Sequence, residues 1–152
     1  MKLLKELVGS GDKIMLITLP FIVIGLILNF LFPHFFSVGG PTDSLKTVSF
    51  IILFFGIIIW LWSVVLILIK VPKKELITYG PYALNKHPIY NGVAFLVLPS
   101  LGFLLNSWLG VVIGIALYFG SRVYSPKEEA MLAESFGPAW DEYVKKILIP
   151  WV

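Results

Sequence analysis

Two runs without a charged residue, residues 14–32 and 48–69, constrain this chain more than any other feature. Each is long enough to cross a hydrocarbon core of about 30 Å as a helix, where backbone polar groups must be satisfied within the segment. They predict an all-α, integral-membrane helical bundle. Composition agrees, since 58% of the 152 residues are hydrophobic and 14% charged, with a mean hydropathy of +0.90. The first run is too long for a signal-peptide core and no small-residue cleavage site follows Phe32-Pro33-His34, so it is expected to be a retained helix. Residues 1–13 mix Lys2, Lys5, Glu6, Asp12 and Lys13 with Leu3, Leu4, Leu7 and Val8 at near-helical spacing, the pattern of an interfacial helix that leads into the first span.

Two further apolar stretches, 93–105 and 108–124, are separated by Asn106 and Ser107 alone, which predicts a tight antiparallel helical hairpin. About four membrane helices result, in a single membrane domain whose first part is 1–77 and second 78–152. Neither hairpin arm reaches a full span unless residues 89–92 join the first. Gly110 and Gly114 have the small-xxx-small spacing that lets helices approach closely. Lys and Arg are unevenly shared: three lie in the N-terminal lead, four between spans two and three (Lys70, Lys73, Lys74, Lys86) and four at the C-terminal end (Arg122, Lys127, Lys145, Lys146), against Lys46 alone on the other face. The positive-inside rule then places both termini and the 78–92 segment on the cytoplasmic side. These basic residues form a topology signal beside membrane lipid, not a stripe for nucleic acid. The sequence holds no cysteine, which excludes disulfides, thiolate zinc sites and cysteine nucleophiles, and no metal site is expected.

Residues 78–92, Thr-Tyr-Gly-Pro-Tyr-Ala-Leu-Asn-Lys-His-Pro-Ile-Tyr-Asn-Gly, are the longest polar interruption. Pro81 and Pro88 each remove a backbone donor and push the preceding residue from helical geometry. Pro88 suits a first helical turn, so His87 is expected at a helix N-terminus, where unsatisfied N–H groups make an anion-binding corner. Tyr79, Tyr82, His87 and Tyr90 bring four polar-tipped rings to it. His34, alone in a loop, reads as a solvated or interfacial side chain. Beyond the hairpin, Ser125 is placed to cap a new helix with Pro126 at its first position and Glu128 and Glu129 in its first turn, ending at Gly137-Pro138. A short amphipathic helix over 140–147, with Trp140, Tyr143, Val144 and Ile147 on one face, is expected to lie on the membrane surface. Glu128 and Glu129 would by themselves be capping charges. Their arrival on the side that carries His87 joins the two polar regions into one candidate site.

Gly80-Pro81-Tyr82, Lys86-His87-Pro88-Ile89-Tyr90-Asn91-Gly92, Glu128-Glu129-Ala130-Met131-Leu132 and Phe136-Gly137 followed by Trp140 and Tyr143 resemble, in order and spacing, the isoprenylcysteine carboxyl methyltransferase and phospholipid methyltransferase superfamily. The likeness covers roughly the C-terminal half and includes the intervening hairpin. It implies an integral-membrane enzyme that uses S-adenosylmethionine and methylates a lipophilic or lipidated acceptor, a prenylcysteine-like carboxylate or a phospholipid amine. It also implies that Tyr82, His87, Pro88, Tyr90, Gly92, Glu128 and Glu129 hold the cofactor, with Glu129 and Tyr90 as the catalytic candidates. On that reading His87 and Tyr90 receive the cofactor's carboxylate end, Glu128 or Glu129 accepts from its ribose hydroxyls or ammonium, and Tyr82 stacks on adenine or faces the sulfonium. Two departures stand out: Lys86 occupies a position usually held by arginine, and no arginine follows Arg122, although the family's tail arginine is implied to position a substrate carboxylate. NADPH-dependent sterol reductases share the general outline and form the alternative class, with a non-catalytic membrane scaffold as the third.

Overall fold

In the computed structural model, backbone is described for residues 2–150 and side chains for residues 13–150. The described chain is all helical. Helix α1 (Lys2–Leu31) is followed by the short α2 (Pro33–Phe36) and by α3 (Asp43–Lys70). One tight turn (Val71–Lys73) and an extended stretch lead to α4 (Pro81–Leu84) and α5 (Pro88–Gly92). A wide helical turn (Val93–Val97) joins α5 to α6 (Leu98–Leu104), after which α7 (Leu109–Phe136) and α8 (Pro138–Lys146) complete the fold. The amphipathic face expected over residues 1–13 lies almost wholly outside the described side chains.

Among the described residues, three helical segments are long and apolar enough to cross a membrane: Lys13–Leu31, Asp43–Lys73 and Leu109–Phe136. Pro88–Leu104 is the shorter fourth member; at about 1.5 Å per residue it reaches only about 25 Å, less than a full hydrocarbon core. Helix α7 packs against α1 and α6, while α3 packs against α5 and α6. The outer helices show their position in their side chains, for only 17% of the apolar window is buried in α1 and in α3, against 39% in α7. Phe30, Phe50, Phe54 and Leu61 thus project outward, as lipid-facing residues do.

Each element starts and stops for local reasons. Thr42 caps α3 by accepting from the Leu45 amide at 3.2 Å, and Asp43 in the first turn meets Lys46 at 3.5 Å. The other end stops where Pro72 removes a donor and Lys74 turns left-handed at φ 57°. The expected hairpin forms between α6 and α7, with Asn106 at φ 56° in its turn. Its arms lie in backbone contact: a Cβ on Gly114 would fall 2.1 Å from the Ala94 carbonyl oxygen, and one on Gly110 2.9 Å from Gly102 Cα. The small-xxx-small pair therefore serves packing, as its spacing predicts. Trp108 donates from its amide to Phe36 and from its indole to Phe35, and Asn106 Oδ1 accepts from the Gly40 amide at 2.9 Å. The 32–42 loop and the hairpin tip thus share one end of the bundle, which leaves residues 71–92 and the end of α7 at the other.

Two local expectations are corrected. No helix begins at Ser125. Helix α7 runs through Pro126 without a break, and Ser125 lies inside it with its hydroxyl donating to the Ser121 carbonyl at 2.8 Å. A membrane helix tolerates such a proline because neighbouring groups re-satisfy the freed backbone. At 28 residues α7 is about 42 Å long, so its last turns overhang a hydrocarbon core. The second correction concerns α8: its apolar face is covered by protein, not lipid. Trp140, Tyr143 and Ile147 pack with Leu76, Leu132, Ala133 and Phe136, while Asp141, Glu142, Lys145 and Lys146 stay exposed.

Candidate functional site

Continuity of α7 builds the site. Ser121, Ser125, Glu128 and Leu132 follow one another at helical spacing on one face, and the first three are buried. Because the helix does not restart at Ser125, Glu128 and Glu129 stay in register with this buried face and reach the segment between α4 and α5. There His87 precedes Pro88 at the start of α5, with φ −127° and ψ 56°, between the helical and extended regions. The imidazole lies between the two carboxylates: Nδ1 is 3.4 Å from Glu128 Oε2 and Nε2 is 3.1 Å from Glu129 Oε1. Tyr90 donates its hydroxyl to Glu128 Oε1 at 3.0 Å, and Lys86 donates to Glu129 Oε2 at 2.6 Å. The His87 and Glu128 side chains are 7% and 4% exposed, so this pairing is withdrawn from water at its core.

With an acceptor opposite each ring nitrogen, His87 meets both only as the imidazolium. Burial opposes that charge, but the hydrogen bonds and negative charges of Glu128 and Glu129 outweigh it and hold the His87 pKa above its ordinary 6.5. Lys86 and His87 then balance Glu128 and Glu129, the pairing that buried charges require. Burial also pushes the Tyr82 and Tyr143 hydroxyls well above the usual phenol range. Tyr143 donates to the Tyr82 carbonyl at 2.8 Å, and the Leu148 and Ile149 amides donate to Ala83 and Leu84, so α8 and the following residues clamp the α4 turn. Gly80, at φ 63°, permits that turn and also leaves room for Trp62, whose ring atoms would be 3.0 Å from a Cβ there.

A cavity of about 340 Å³ opens beside the pairing, within the range of about 300–1,000 Å³ usual for small-molecule sites. Lys86, His87, Tyr90 and Glu128 form its polar end. Val64, Ile67 and Leu68 of α3 form an apolar wall, and Phe136, Trp140 and Tyr143 close the far side. Among the residues singled out from sequence, Tyr82, His87, Pro88, Tyr90 and Glu128 line this space. Glu129 stands behind His87 and Lys86. Gly92 turns elsewhere, for a Cβ on it would point to Ile59 of α3 at 3.6 Å. Tyr79 is 47% exposed and does not join the other rings. The sequence presents Lys86 as a topology charge and a replaced arginine and gives no sign of its bond to Glu129, nor does it mark Trp140, Tyr143 and the α3 wall as site residues. Their apolar periodicity was legible, but periodicity does not say which cavity a face lines.

No protein-family model matches the chain. Two curated proteins from Oryza sativa subsp. indica and subsp. japonica, each named probable protein-S-isoprenylcysteine O-methyltransferase, are 33% identical to it over 77 residues. That segment is 49% of this chain and 39% of each rice protein, so the chain spans about two fifths of the length of these relatives.

Proposed function

We propose that this protein is an S-adenosylmethionine-dependent methyltransferase that acts on a lipophilic acceptor at the lysine-rich, cytoplasmic face of a membrane. The observation that carries the reading is the meeting, in one cavity, of Tyr90, Glu128 and His87, backed by Glu129, with an apolar wall supplied by a membrane helix. The similarity to the rice proteins supports the reaction class, and the Lys and Arg distribution supports the orientation.

The residues present fit the cofactor chemically. It carries an ammonium, a carboxylate, a ribose diol, an adenine and a sulfonium, and when bound it supplies an electrophilic methyl group. Glu128, held by Tyr90 and His87, is a fixed acceptor for ammonium or hydroxyl donors. Lys86 and His87 are the cations at the cavity that suit a carboxylate. Tyr82 and Trp140 offer ring faces to adenine or to a cation. Val64, Ile67 and Leu68 exclude water and match the hydrocarbon part of an acceptor that enters from the bilayer. Alignment of acceptor and methyl donor matters more for such a transfer than acid–base groups, so positioning by these walls accounts for much of the expected rate gain.

The test is calorimetry on purified protein in detergent with S-adenosylmethionine and S-adenosylhomocysteine, NADPH serving as control. Micromolar S-adenosylhomocysteine affinity, lost in His87→Ala and weakened about tenfold or more in Glu129→Ala, is the expected result. Absence of binding by either sulfur ligand refutes the reading, and binding of NADPH in their place assigns the protein to the reductase class.

A further inference from the structure

Two asparagines beside His87 have no place in the scheme above. Asn85 Oδ1 accepts from the His87 backbone amide at 3.0 Å and from Asn91 Nδ2 at 3.2 Å. Asn91 is 6% exposed, and its own Oδ1 is buried without a hydrogen-bond partner among the described residues. A buried amide with an unanswered oxygen is costly, by about 1–3 kcal/mol. Turning the amide over does not help. It would set the Asn91 oxygen against the Asn85 oxygen, which already accepts from His87, and two acceptors would face each other. The His87 backbone N–H therefore fixes the Asn85 amide with its oxygen inward, and the bond that Asn91 donates to that oxygen fixes the Asn91 amide.

We propose that Asn85 and Asn91 form a positioning clamp for His87: Asn91 holds the Asn85 carboxamide, and Asn85 holds the His87 backbone so that its ring stands between Glu128 and Glu129. The clamp is local and does not touch the cavity, since neither asparagine lines it. Asn91 sits on the helical turn that His87 opens, its backbone N–H donating to the His87 carbonyl at 3.1 Å. The groups that face the ring are Glu128, Glu129 and Tyr90, whose ring stacks on it with centroids 6.1 Å apart, with Lys86 acting through Glu129. What the held ring does for a ligand rests on the methyltransferase reading; that it is held by the asparagines does not.

The sequence holds two histidines, so ¹⁵N-histidine labelling in detergent gives two imidazole signals, of which His87→Gln identifies one. In the unsubstituted protein His87 is expected to titrate above its ordinary 6.5. Asn85→Leu, which removes the acceptor, and Asn91→Leu, which removes the donor that orients it, are expected to lower the His87 midpoint by at least half of its rise above that value. Asn85→Asp keeps an oxygen that accepts from both donors and is expected to retain the higher midpoint. S-adenosylhomocysteine affinity is expected to weaken roughly five- to tenfold in the leucine variants, the scale of one lost hydrogen bond. If Asn85→Leu does not fold, Asn91→Leu alone decides. An unchanged His87 midpoint in a folded leucine variant overturns the clamp. If the unsubstituted protein binds no sulfur ligand, the methyltransferase reading fails while the titration still decides the clamp.

Discussion

The bond between Tyr90 and Glu128 offers the sharpest test of the site. Glu128 is 4% exposed on its side chain and has two partners: the Tyr90 hydroxyl at 3.0 Å and His87 Nδ1 at 3.4 Å. Tyr90→Phe removes a hydrogen bond to a charged acceptor, a loss of about 1.5–3 kcal/mol. Glu128→Leu preserves most of the volume but strips His87 of one counter-charge; Glu129 remains, so the cost falls near the lower end of the 3–5 kcal/mol expected for breaking a buried pair, about 3 kcal/mol. Once Glu128 is gone, the Tyr90 hydroxyl has lost its acceptor and removing it costs much less. The double variant should therefore be more stable than additivity predicts by about 1–2 kcal/mol. Thermal unfolding in a mild detergent reads this directly: for a chain of this size about 2–4 °C accompanies each kcal/mol, so Tyr90→Phe should melt about 3–12 °C lower. A coupling below about 0.3 kcal/mol, the limit of additive behaviour, would show that the hydroxyl and the carboxylate do not interact, and the polar end of the cavity would need to be redrawn.

Three further outcomes are expected. Because the folded-state pKa of His87 is raised, its pairing contributes fully below the unfolded value near 6.5 and is lost as pH rises through the folded value; melting temperature should fall over that window, and His87→Gln should flatten the fall. Gly114→Leu should destabilise by more than about 2 kcal/mol or abolish folding, since even a Cβ would lie 2.1 Å from the Ala94 carbonyl oxygen, whereas leucine at exposed Phe119 should change melting by no more than about 2 °C. Cysteines placed at Lys73 and Lys145 should react with an impermeant maleimide from the same side of a sealed vesicle; labelling from opposite sides would refute the shared orientation of the two polar regions.

Much of this architecture is legible in the sequence alone. Residues 14–32 and 48–69 announce membrane helices because nothing but a helix satisfies so long an apolar backbone in lipid. The Asn106-Ser107 turn and the Gly110–Gly114 spacing announce the hairpin, and Pro88 marks the start of α5. The errors at Ser125 and in the 140–147 helix have a common origin. Ser-Pro is a good helix start, and an amphipathic stretch with tryptophan suits a membrane surface, but both are local preferences that packing overrides. Ser125 is 1% exposed inside α7, and Trp140 is 6% exposed on the covered face of α8. Sequence periodicity gives a face; it does not give the neighbour that covers it.

The amino-acid sequence by itself determined the class of fold, the presence of two polar regions and the residue types gathered in them, since these follow from hydropathy, proline stereochemistry and charge, all local properties. Only the tertiary structure decided that His87 stands between Glu128 and Glu129, that Lys86 answers Glu129, that Tyr90 answers Glu128, and that Gly92 and Tyr79 lie away from the cavity. Those facts depend on the angular register of α7 past Pro126 and on the reach of side chains separated by about forty positions. Such register is set by the sum of many packing contacts, here the glycine-lined approach of α6 to α7 and the seat of α1, and no short stretch of sequence contains it.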